Sequence, residues 1–473
     1  MKISFHGADQ GVTGSCHLIE CNGTRILIDC GLFQGGRELA EENAEAFGFE
    51  ATDIDVVLLT HAHLDHCGRI PLLVKRGFQG EIISTAASRD LARLVMLDAA
   101  HLQEEEARYR ARRAAQADGK RHHRHGGGDR DDDIEPLYTM LDAIDAMGAF
   151  GRTANYDESI EIASGVRATF IDAGHILGSA SILLELHEGE QRRRVLFSGD
   201  LGYGGRAILR DPTPPPHADV VIMETTYGDR LHKQLEPSIE ELYSGIEDTF
   251  RRGGNVVIPT FAMERAQEIL YFLHEGVHSD RLSASTQVFL DSPMAISATE
   301  IFKRHPECFD AETRERFAHG DDPFALPGLH FTRETAESMA LNQIRGGAVI
   351  MAGSGMCTGG RVRHHLRHNL WRTDSTVIFV GYAAHGTLAR RIIDGASHVH
   401  LFREDIPVRA RILTIGGFSA HADRDQLLAW HAATGHPKRT FLVHGDPEAM
   451  QAFARALPGH QVEMPARDTE YAL

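Results

Sequence analysis

The chain lacks several features that would assign it to common protein classes. No apolar run approaches the roughly 20 residues of a membrane-spanning helix, and Met1 leads straight into a strand-like segment, so we expect no signal peptide and no membrane association. The six cysteines are scattered, without a Cys-x-x-Cys pair, along 473 residues. Cysteines in this pattern are typical of free thiols in a reducing compartment, so the sequence predicts a cytoplasmic location.

An excess of basic residues is also absent, because 49 lysines and arginines stand against 67 acidic residues and give a formal net charge of −18. A protein that coats nucleic acid has a basic footprint, so the charge argues against that class. A nuclease is still compatible with it, since two dications and a local basic groove can hold phosphates on an acidic body. The chain is 42% hydrophobic and 25% charged, which is ordinary for a folded protein.

The most informative segment present is the hexapeptide 61–66, which contains His61, His63, Asp65 and His66. It follows the apolar run 56–60, which is typical of a buried strand, and α/β folds place their chemistry at the carboxyl ends of strands. Four ligands on so short a loop cannot all reach one tetrahedral ion that keeps an open position. They can serve two ions, the first two residues one and the last two the other. The alternative is a polar loop with solvated histidines.

Other ligand-type residues also follow apolar, strand-like runs. His175, Asp200 and His444 each have a glycine nearby, which lets the backbone approach a crowded metal cluster. Asp200 stands alone at its strand end and is the candidate to bridge two cations. Asp29 ends another such run, where its carboxylate can orient a ligating imidazole from behind. The alternative for each is a turn residue satisfied by backbone hydrogen bonds.

The pattern of elements changes along the chain. Residues 1–80 alternate short strands and turns, which predicts an antiparallel-rich half of a sandwich. A helix is predicted over about 88–117, and the His/Arg-rich segment 119–133 is predicted to be a disordered loop. Strands and helices then alternate over 255–393, which predicts a parallel, doubly wound sheet with crossover helices.

Three turns of this alternating segment, at 262–265, 353–361 and 381–386, are candidate phosphate-binding sites. Each joins a strand to a helix, and free N–H groups at a helix N-terminus form an anion site. The candidate substrate-binding residues in these turns are Ser354, Gly355, Arg265, Arg361 and His385. The alternatives are tight-turn geometry for the glycines and simple surface exposure for the arginines.

Taken in order, these residues resemble the motifs of a known family. Asp29, the hexapeptide, His175 and Asp200 match the four metal motifs of the metallo-β-lactamase superfamily. Glu224, His421 and His444 resemble the three additional motifs of its β-CASP branch, which includes the cleavage and polyadenylation endonuclease, ribonuclease J and Artemis. The chain looks most like the prokaryotic homologues of the polyadenylation endonuclease, over nearly its whole length.

The resemblance implies an α/β fold: a metallo-β-lactamase αββα sandwich with an inserted β-CASP domain. The first part of the sandwich domain would span 1–228, the insertion 229–408 and the return segment 409–473. One zinc would be held by His61, His63, His175 and Asp200, and the second by Asp65, His66, Asp200 and His444. The residues expected to take part in catalysis are His421 as general acid, Glu224, which orients it, Asp65 and Asp29.

The resulting interpretation is a zinc-dependent ribonuclease that hydrolyses phosphodiester bonds of single-stranded RNA with two Zn²⁺ ions and an activated water. In the family, a histidine at the position of His444 goes with RNA substrates, which argues against a DNA nuclease. The inserted domain with Glu224 and His421 argues against a hydrolase of a thioester or lactam. A catalytically silent RNA-binding subunit would require lost ligands, and none is missing. A homodimer is a further expectation from the resemblance.

Overall fold

The computed structural model describes residues 1–121, 135–381, 383–459 and 461–473. The strands of these residues are β1 (Lys2–Phe5), β2 (His17–Cys21), β3 (Thr24–Ile28), β4 (Val56–Leu58), β5 (Glu81–Thr85), β6 (Phe150–Ala154), β7 (Ser159–Ala163), β8 (Val166–Asp172), β9 (Ala180–Glu188), β10 (Gln191–Phe197), β11 (Val220–Glu224), β12 (Val256–Pro259), β13 (Gln287–Leu290), β14 (Leu329–Phe331), β15 (Ala348–Ala352), β16 (Thr376–Val380), β17 (His398–Leu401), β18 (Glu404–Pro407), β19 (Arg411–Ile415), β20 (Arg439–Val443), β21 (Val462–Glu463) and β22 (Glu470–Ala472).

The helices of the same residues are α1 (Arg37–Glu42), α2 (Leu64–Cys67), α3 (Ile70–Lys75), α4 (Ala86–Arg121), α5 (Met140–Ala146), α6 (Leu235–Arg251), α7 (Arg265–His278), α8 (Pro293–Arg304), α9 (Ala311–Ala318), α10 (Thr335–Leu341), α11 (Val362–Asn369), α12 (Leu388–Ile393), α13 (Arg424–Ala433) and α14 (Pro447–Arg455). Short 3-10 turns lie at Ala51–Asp53, Met147–Ala149 and Pro306–Cys308. No helix in the described ranges is both long enough and apolar enough to cross a membrane.

Two seven-stranded sheets in the described part of the chain form a sandwich. Their strand orders are β22-β1-β2-β3-β4-β5-β6 and β21-β20-β11-β10-β9-β8-β7. Side chains alternate between the faces of each strand. In β2, Ile19 packs into the core between the sheets, whereas Leu18 packs under the helices outside. In β9, Leu184 lies between the sheets and Leu183 lies under α13 and α14. The result is the four-layer αββα arrangement.

A third sheet has the order β14-β13-β15-β12-β16-β19, and all its strand pairs are parallel. Its strands β12, β15 and β16 are buried along their whole length, because helices cover both faces. In β12, Val256 and Ile258 enter one core and Val257 enters the core on the opposite face. The predicted architecture, an αββα sandwich with a parallel, doubly wound insertion, is therefore confirmed.

Some details differ from the sequence-based expectation. The first sheet is mixed rather than antiparallel-rich, because β3, β4, β5 and β6 pair in parallel. Strands β6 and β7 were not predicted. Each has only five residues; the three central residues of β6 are exposed, and no residue of β7 is fully buried. Helix α4 continues to Arg121, and the rest of the predicted loop 119–133 lies outside the described residues.

The domain boundaries stay a prediction. Strand β19 pairs with β16 of the inserted sheet, so the last strand of that sheet lies beyond the predicted boundary at residue 408. The chain rejoins the sandwich at β20, which pairs with β11 in parallel. This pairing brings the segment after β20 back beside the segments that follow β10 and β11.

Candidate metal centre

The predicted ligands collect at one edge of the sandwich because the strands that precede them end there. His175 follows β8, which points the same way as β10 because both run antiparallel to β9. Strands β3 and β4 are parallel neighbours in the first sheet, and β10, β11 and β20 are parallel neighbours in the second. Close backbone approach requires glycine at two points. A Cβ on Gly31 would lie 1.6 Å from the Asp65 carbonyl oxygen, and one on Gly202 would lie 1.9 Å from the Gly174 carbonyl oxygen.

The first ligand cluster consists of His61, His63, His175 and Asp200. The Nδ1 atom of His63 lies 3.1 Å from His61 Nε2 and 3.2 Å from His175 Nε2. Asp200 Oδ2 lies 3.5 Å from His61 Nε2 and 3.6 Å from His175 Nε2. Bonds of about 2.1 Å to a tetrahedral ion space its donor atoms about 3.4 Å apart. The four donor atoms therefore fit around a single ion.

The second cluster joins Asp65, His66 and His444 to the other oxygen of Asp200. His444 Nε2 lies 3.3 Å from His66 Nε2 and 3.4 Å from Asp65 Oδ2. Asp200 Oδ1 lies 3.3 Å from His66 Nε2. This oxygen is buried and has no hydrogen-bond partner among the described residues, a costly arrangement for a carboxylate unless a cation accompanies it. The residues fit a pair of metal ions that share Asp200.

Hydrogen bonds behind the clusters fix the imidazole tautomers. Asp29 accepts a hydrogen bond from His66 Nδ1 at 2.7 Å and two from Thr60, each at 2.8 Å. His175 Nδ1 donates to the Ala420 carbonyl oxygen at 3.2 Å, so its Nε2 lone pair faces the centre. Thr226 Oγ1 lies 3.1 Å from His444 Nδ1. Such contacts orient the metal ligands.

Sequence reasoning missed Thr60, Thr226 and the Ala420 carbonyl. Thr60 directly precedes the hexapeptide, and Thr226 follows Glu224 by two residues, so adjacency to the motifs was an available signal. A backbone carbonyl carries no sequence signal at all.

Electrostatics keep the first cluster ready to bind a cation. Burial lowers the pKa of His63 to about 4 and holds the pKa values of His61 and His175 well below their ordinary value. All three are therefore neutral near pH 7, the form that binds metal. Burial alone would raise the pKa of Asp200, but the surrounding imidazoles outweigh it and hold that pKa well below the usual range.

His421 and Glu224 form a pair beside the two clusters. His421 Nδ1 lies 3.2 Å from Glu224 Oε1, and Glu224 also accepts hydrogen bonds from the backbone N–H groups of Leu201 and Thr226. Burial lowers the pKa of His421, but the Glu224 carboxylate outweighs it and raises the pKa to about 9. The helix α13 is capped by Asp423, so capping does not account for His421.

The predicted substrate-binding turns meet at the carboxyl edge of the inserted sheet. Gly355 packs against the Phe261 ring, and Met356 contacts the Ala384 backbone of the third turn. Ser354 is partly exposed and His385 is exposed. This juxtaposition is the one expected for turns that follow neighbouring parallel strands.

The two candidate arginines are engaged inside the inserted domain. Arg361 Nη1 donates to Asp291 at 2.8 Å and to the Thr332 carbonyl oxygen at 3.0 Å. Arg265 is buried and paired with Glu268. Their roles as phosphate clamps stay predictions, and these contacts show that each guanidinium also has a structural partner.

Known proteins resemble this chain along nearly its whole length. "Ribonuclease TTHA0252" of Thermus thermophilus is 39% identical over 466 residues, which cover 98% of both chains. The chain belongs to the metallo-beta-lactamase superfamily. Residues 9–244 match the family description "Metallo-beta-lactamase superfamily", residues 266–392 match "Beta-Casp domain", and residues 405–465 match "Zn-dependent metallo-hydrolase RNA specificity domain".

Other relatives of this superfamily member have different names. "Transcription termination factor FttA" of Methanocaldococcus jannaschii is 32% identical over 96% of this chain and 68% of its own length. "RNase J-like protein" of the same organism is 28% identical over 96% and 95% of the two chains. A solved structure, titled "Crystal Structure of a Protein of Unknown Function from Enterococcus faecalis V583", matches with a TM-score of 0.54 at 12% identity over 100% of this chain and 99% of that chain. That likeness shows a shared fold alone.

Proposed function

We propose that the protein is a zinc-dependent ribonuclease that hydrolyses phosphodiester bonds in single-stranded RNA. The observation that carries the proposal is the position of Asp200 between two ligand clusters, with His421 beside them. Paired metals roughly 3.5–4 Å apart are used by nucleases and phosphatases to stabilise both the attacking and the leaving oxygen. The ligand set of imidazoles and carboxylates suits zinc.

Bound zinc would lower the pKa of a water toward about 7 and neutralise charge on the phosphate. The chain itself supplies the orientation and the proton. Asp29 fixes the tautomer of His66, and Asp65 adds a carboxylate ligand beside His444. The reacting phosphate would then lie between the two ligand clusters and His421.

His421 acts as the general acid in this proposal. Glu224 binds Nδ1, so the Nε2 proton is available for the leaving oxygen. With a pKa raised to about 9, the ring carries that proton near neutral pH. Proton transfer from a positioned side chain typically contributes about 10²–10⁴-fold to a rate.

RNA is the favoured substrate for two reasons. Relatives of the chain are named ribonuclease and RNase J-like protein. The segment that matches the RNA specificity domain, residues 405–465, contains both His421 and His444. In this proposal the three predicted turns would bind the phosphates of the strand.

The test compares cleavage of a single-stranded RNA with cleavage of a DNA of the same sequence by the zinc-loaded protein. We expect cleavage of the RNA, and its loss in His63→Ala, with His398→Ala as a control at an exposed histidine of the insertion. Equal rates on RNA and DNA, or full activity in His63→Ala, would overturn the proposal.

A cytoplasmic location and a homodimer belong to the same proposal. All six cysteines are free and buried, which suits a reducing compartment. The homodimer rests on the family resemblance, and its test is the mass of the protein measured by light scattering.

A further inference from the structure

A second group of ligand-type side chains lies in the inserted domain, apart from the central clusters. His274 and His278 are four residues apart on α7, so both face the same side of the helix. Their rings stack with centroids 4.7 Å apart. Asp321, in the segment after α9, completes the group, and one ligand atom from each of the three residues lies within 4.8 Å of the others.

The hydrogen bonds around His274 fix which nitrogen faces the group. His274 Nδ1 lies 2.5 Å from the Ala325 carbonyl oxygen and must carry the proton of that contact. In the neutral ring, Nε2 is then an electron pair acceptor, and it lies 3.3 Å from Asp321 Oδ1. Two electron-rich atoms at this distance repel each other, and a cation beside them makes the contact favourable. The Arg316 guanidinium, whose Nη2 lies 3.3 Å from His274 Nε2, is one such cation.

The carboxylate of Asp321 is oriented in the same way as a metal ligand. Arg316 Nε donates to Asp321 Oδ2 at 2.8 Å, which leaves Oδ1 directed toward His274. A hydrogen bond on the oxygen that does not bind the metal is the usual support for a ligating carboxylate. Both His274 and Asp321 therefore have their other polar atom already held by the protein.

The charge around the group also permits a dication. Arg316 Nη2 lies 3.3 Å from His274 Nε2, and it donates to Glu275 at 2.7 Å. If His274 Nε2 bound a metal ion instead, the guanidinium would still have Glu275 and Asp321 as partners. With neutral imidazoles, the two carboxylates and one guanidinium leave a net charge of −1, which favours a positive ion.

We propose that His274, His278 and Asp321 bind a third transition-metal dication of the zinc type, which uses none of the ligands of the central pair. Two imidazoles and one carboxylate suit zinc, with water as a fourth ligand. His274 is buried and His278 is exposed, so the ion has an entry path from solvent. The ion would tie α7 to the segment before β14 and stabilise the inserted domain.

The test counts zinc in metal-depleted protein after equilibrium dialysis against micromolar zinc. We expect His278→Ala to bind one zinc fewer per chain than the wild type and than His398→Ala, an exposed histidine of the same domain. Asp321→Asn, which keeps the shape of the side chain, should show the same loss. Zinc should also raise the Tm of the control more than that of either variant, because an ion bound only by the folded state stabilises it.

A separate measurement keeps this site distinct from the central one. In the His63→Ala background, His278→Ala should still remove one zinc, and in the wild-type background it should leave RNA cleavage unchanged. X-ray diffraction at the zinc edge should show an anomalous peak among the three side chains. Equal zinc content in His278→Ala and the control, with no such peak, would overturn the proposal, whatever the outcome at the central clusters. The Arg316 guanidinium would then be the only cation of the group.

Discussion

Replacing Glu224 by glutamine should lower the pKa of His421, the proposed general acid, and leave zinc bound. The amide keeps the size of the side chain and a carbonyl oxygen for the Leu201 and Thr226 N–H groups, but it removes the negative charge 3.2 Å from His421 Nδ1. Two unit charges at this distance interact by about 5 kcal/mol at an effective dielectric constant of about 20, which equals about 4 pKa units.

His421 is partly exposed, which weakens this interaction, so we expect the substitution to lower the pKa of His421 by about 3. The pKa of His421 would then fall from about 9 to roughly 6. At pH 8 the protonated fraction would fall about 90-fold, whereas at pH 6 it would fall only about twofold. The raised pKa supports activity up to about pH 9, so its loss should appear as pH rises.

The assay is single-turnover cleavage of a single-stranded RNA by Glu224→Gln between pH 6 and pH 8.5, with zinc content measured in parallel. We expect a defect on the order of 10²-fold at pH 8 that shrinks toward pH 6, with zinc still bound. An RNA with sulfur at the bridging position of the leaving group needs no proton and should be cleaved with a smaller defect. Asp468→Asn, which alters the His6–Asp468 pair elsewhere, is the matched control. A defect that is equal at both pH values, persists with the sulfur substrate, or accompanies zinc loss would refute the assignment.

Three further predictions concern other residues. His421→Ala should lose about 10²–10⁴-fold in turnover while zinc stays bound; near-normal turnover at full zinc occupancy would remove His421 from the mechanism. Asp29→Ala should weaken zinc binding about 10–100-fold, because it removes the acceptor that fixes His66; an unchanged affinity in equilibrium dialysis would contradict this role. Burial raises the pKa of Glu264 to about 7, so its charge destabilises the fold as pH rises from about 4.5 through 7. The free energy of unfolding of Glu264→Gln, relative to that of the wild type, should therefore be higher at pH 8 than at pH 5 by up to about 3 kcal/mol. Denaturant unfolding that gives the same difference between variant and wild type at both pH values would count against this.

The signals that led to the predicted residues of the central site are local in the sequence, and the structure brings these residues together. Each ligand segment follows an apolar strand, and strands that run in the same direction bring their carboxyl ends to one edge of the sandwich. The inserted sheet was predictable for the same reason, since its buried strands alternate with helices. The five-residue strands β6 and β7 are not continuous apolar runs and gave no comparable pattern.

Contacts between distant segments could not be predicted from the sequence. Asp291 binds Arg361 and His365, so an arginine predicted to meet phosphate also anchors its own turn. Asp321 meets His274 only after α7 and the segment after α9 pack together. Such pairings depend on tertiary packing, and neither residue type nor spacing along the chain indicates them.

Return of zinc to the metal-depleted protein tests the central claim most directly. The measurement uses His278→Ala, which removes a ligand of the proposed third site, and follows the initial rate of single-stranded RNA cleavage as zinc is added. The account predicts no cleavage without metal and a rate that reaches its maximum at two zinc ions per chain. Cleavage by the metal-free protein, or a maximum reached with a single ion, would contradict a two-metal centre built around Asp200.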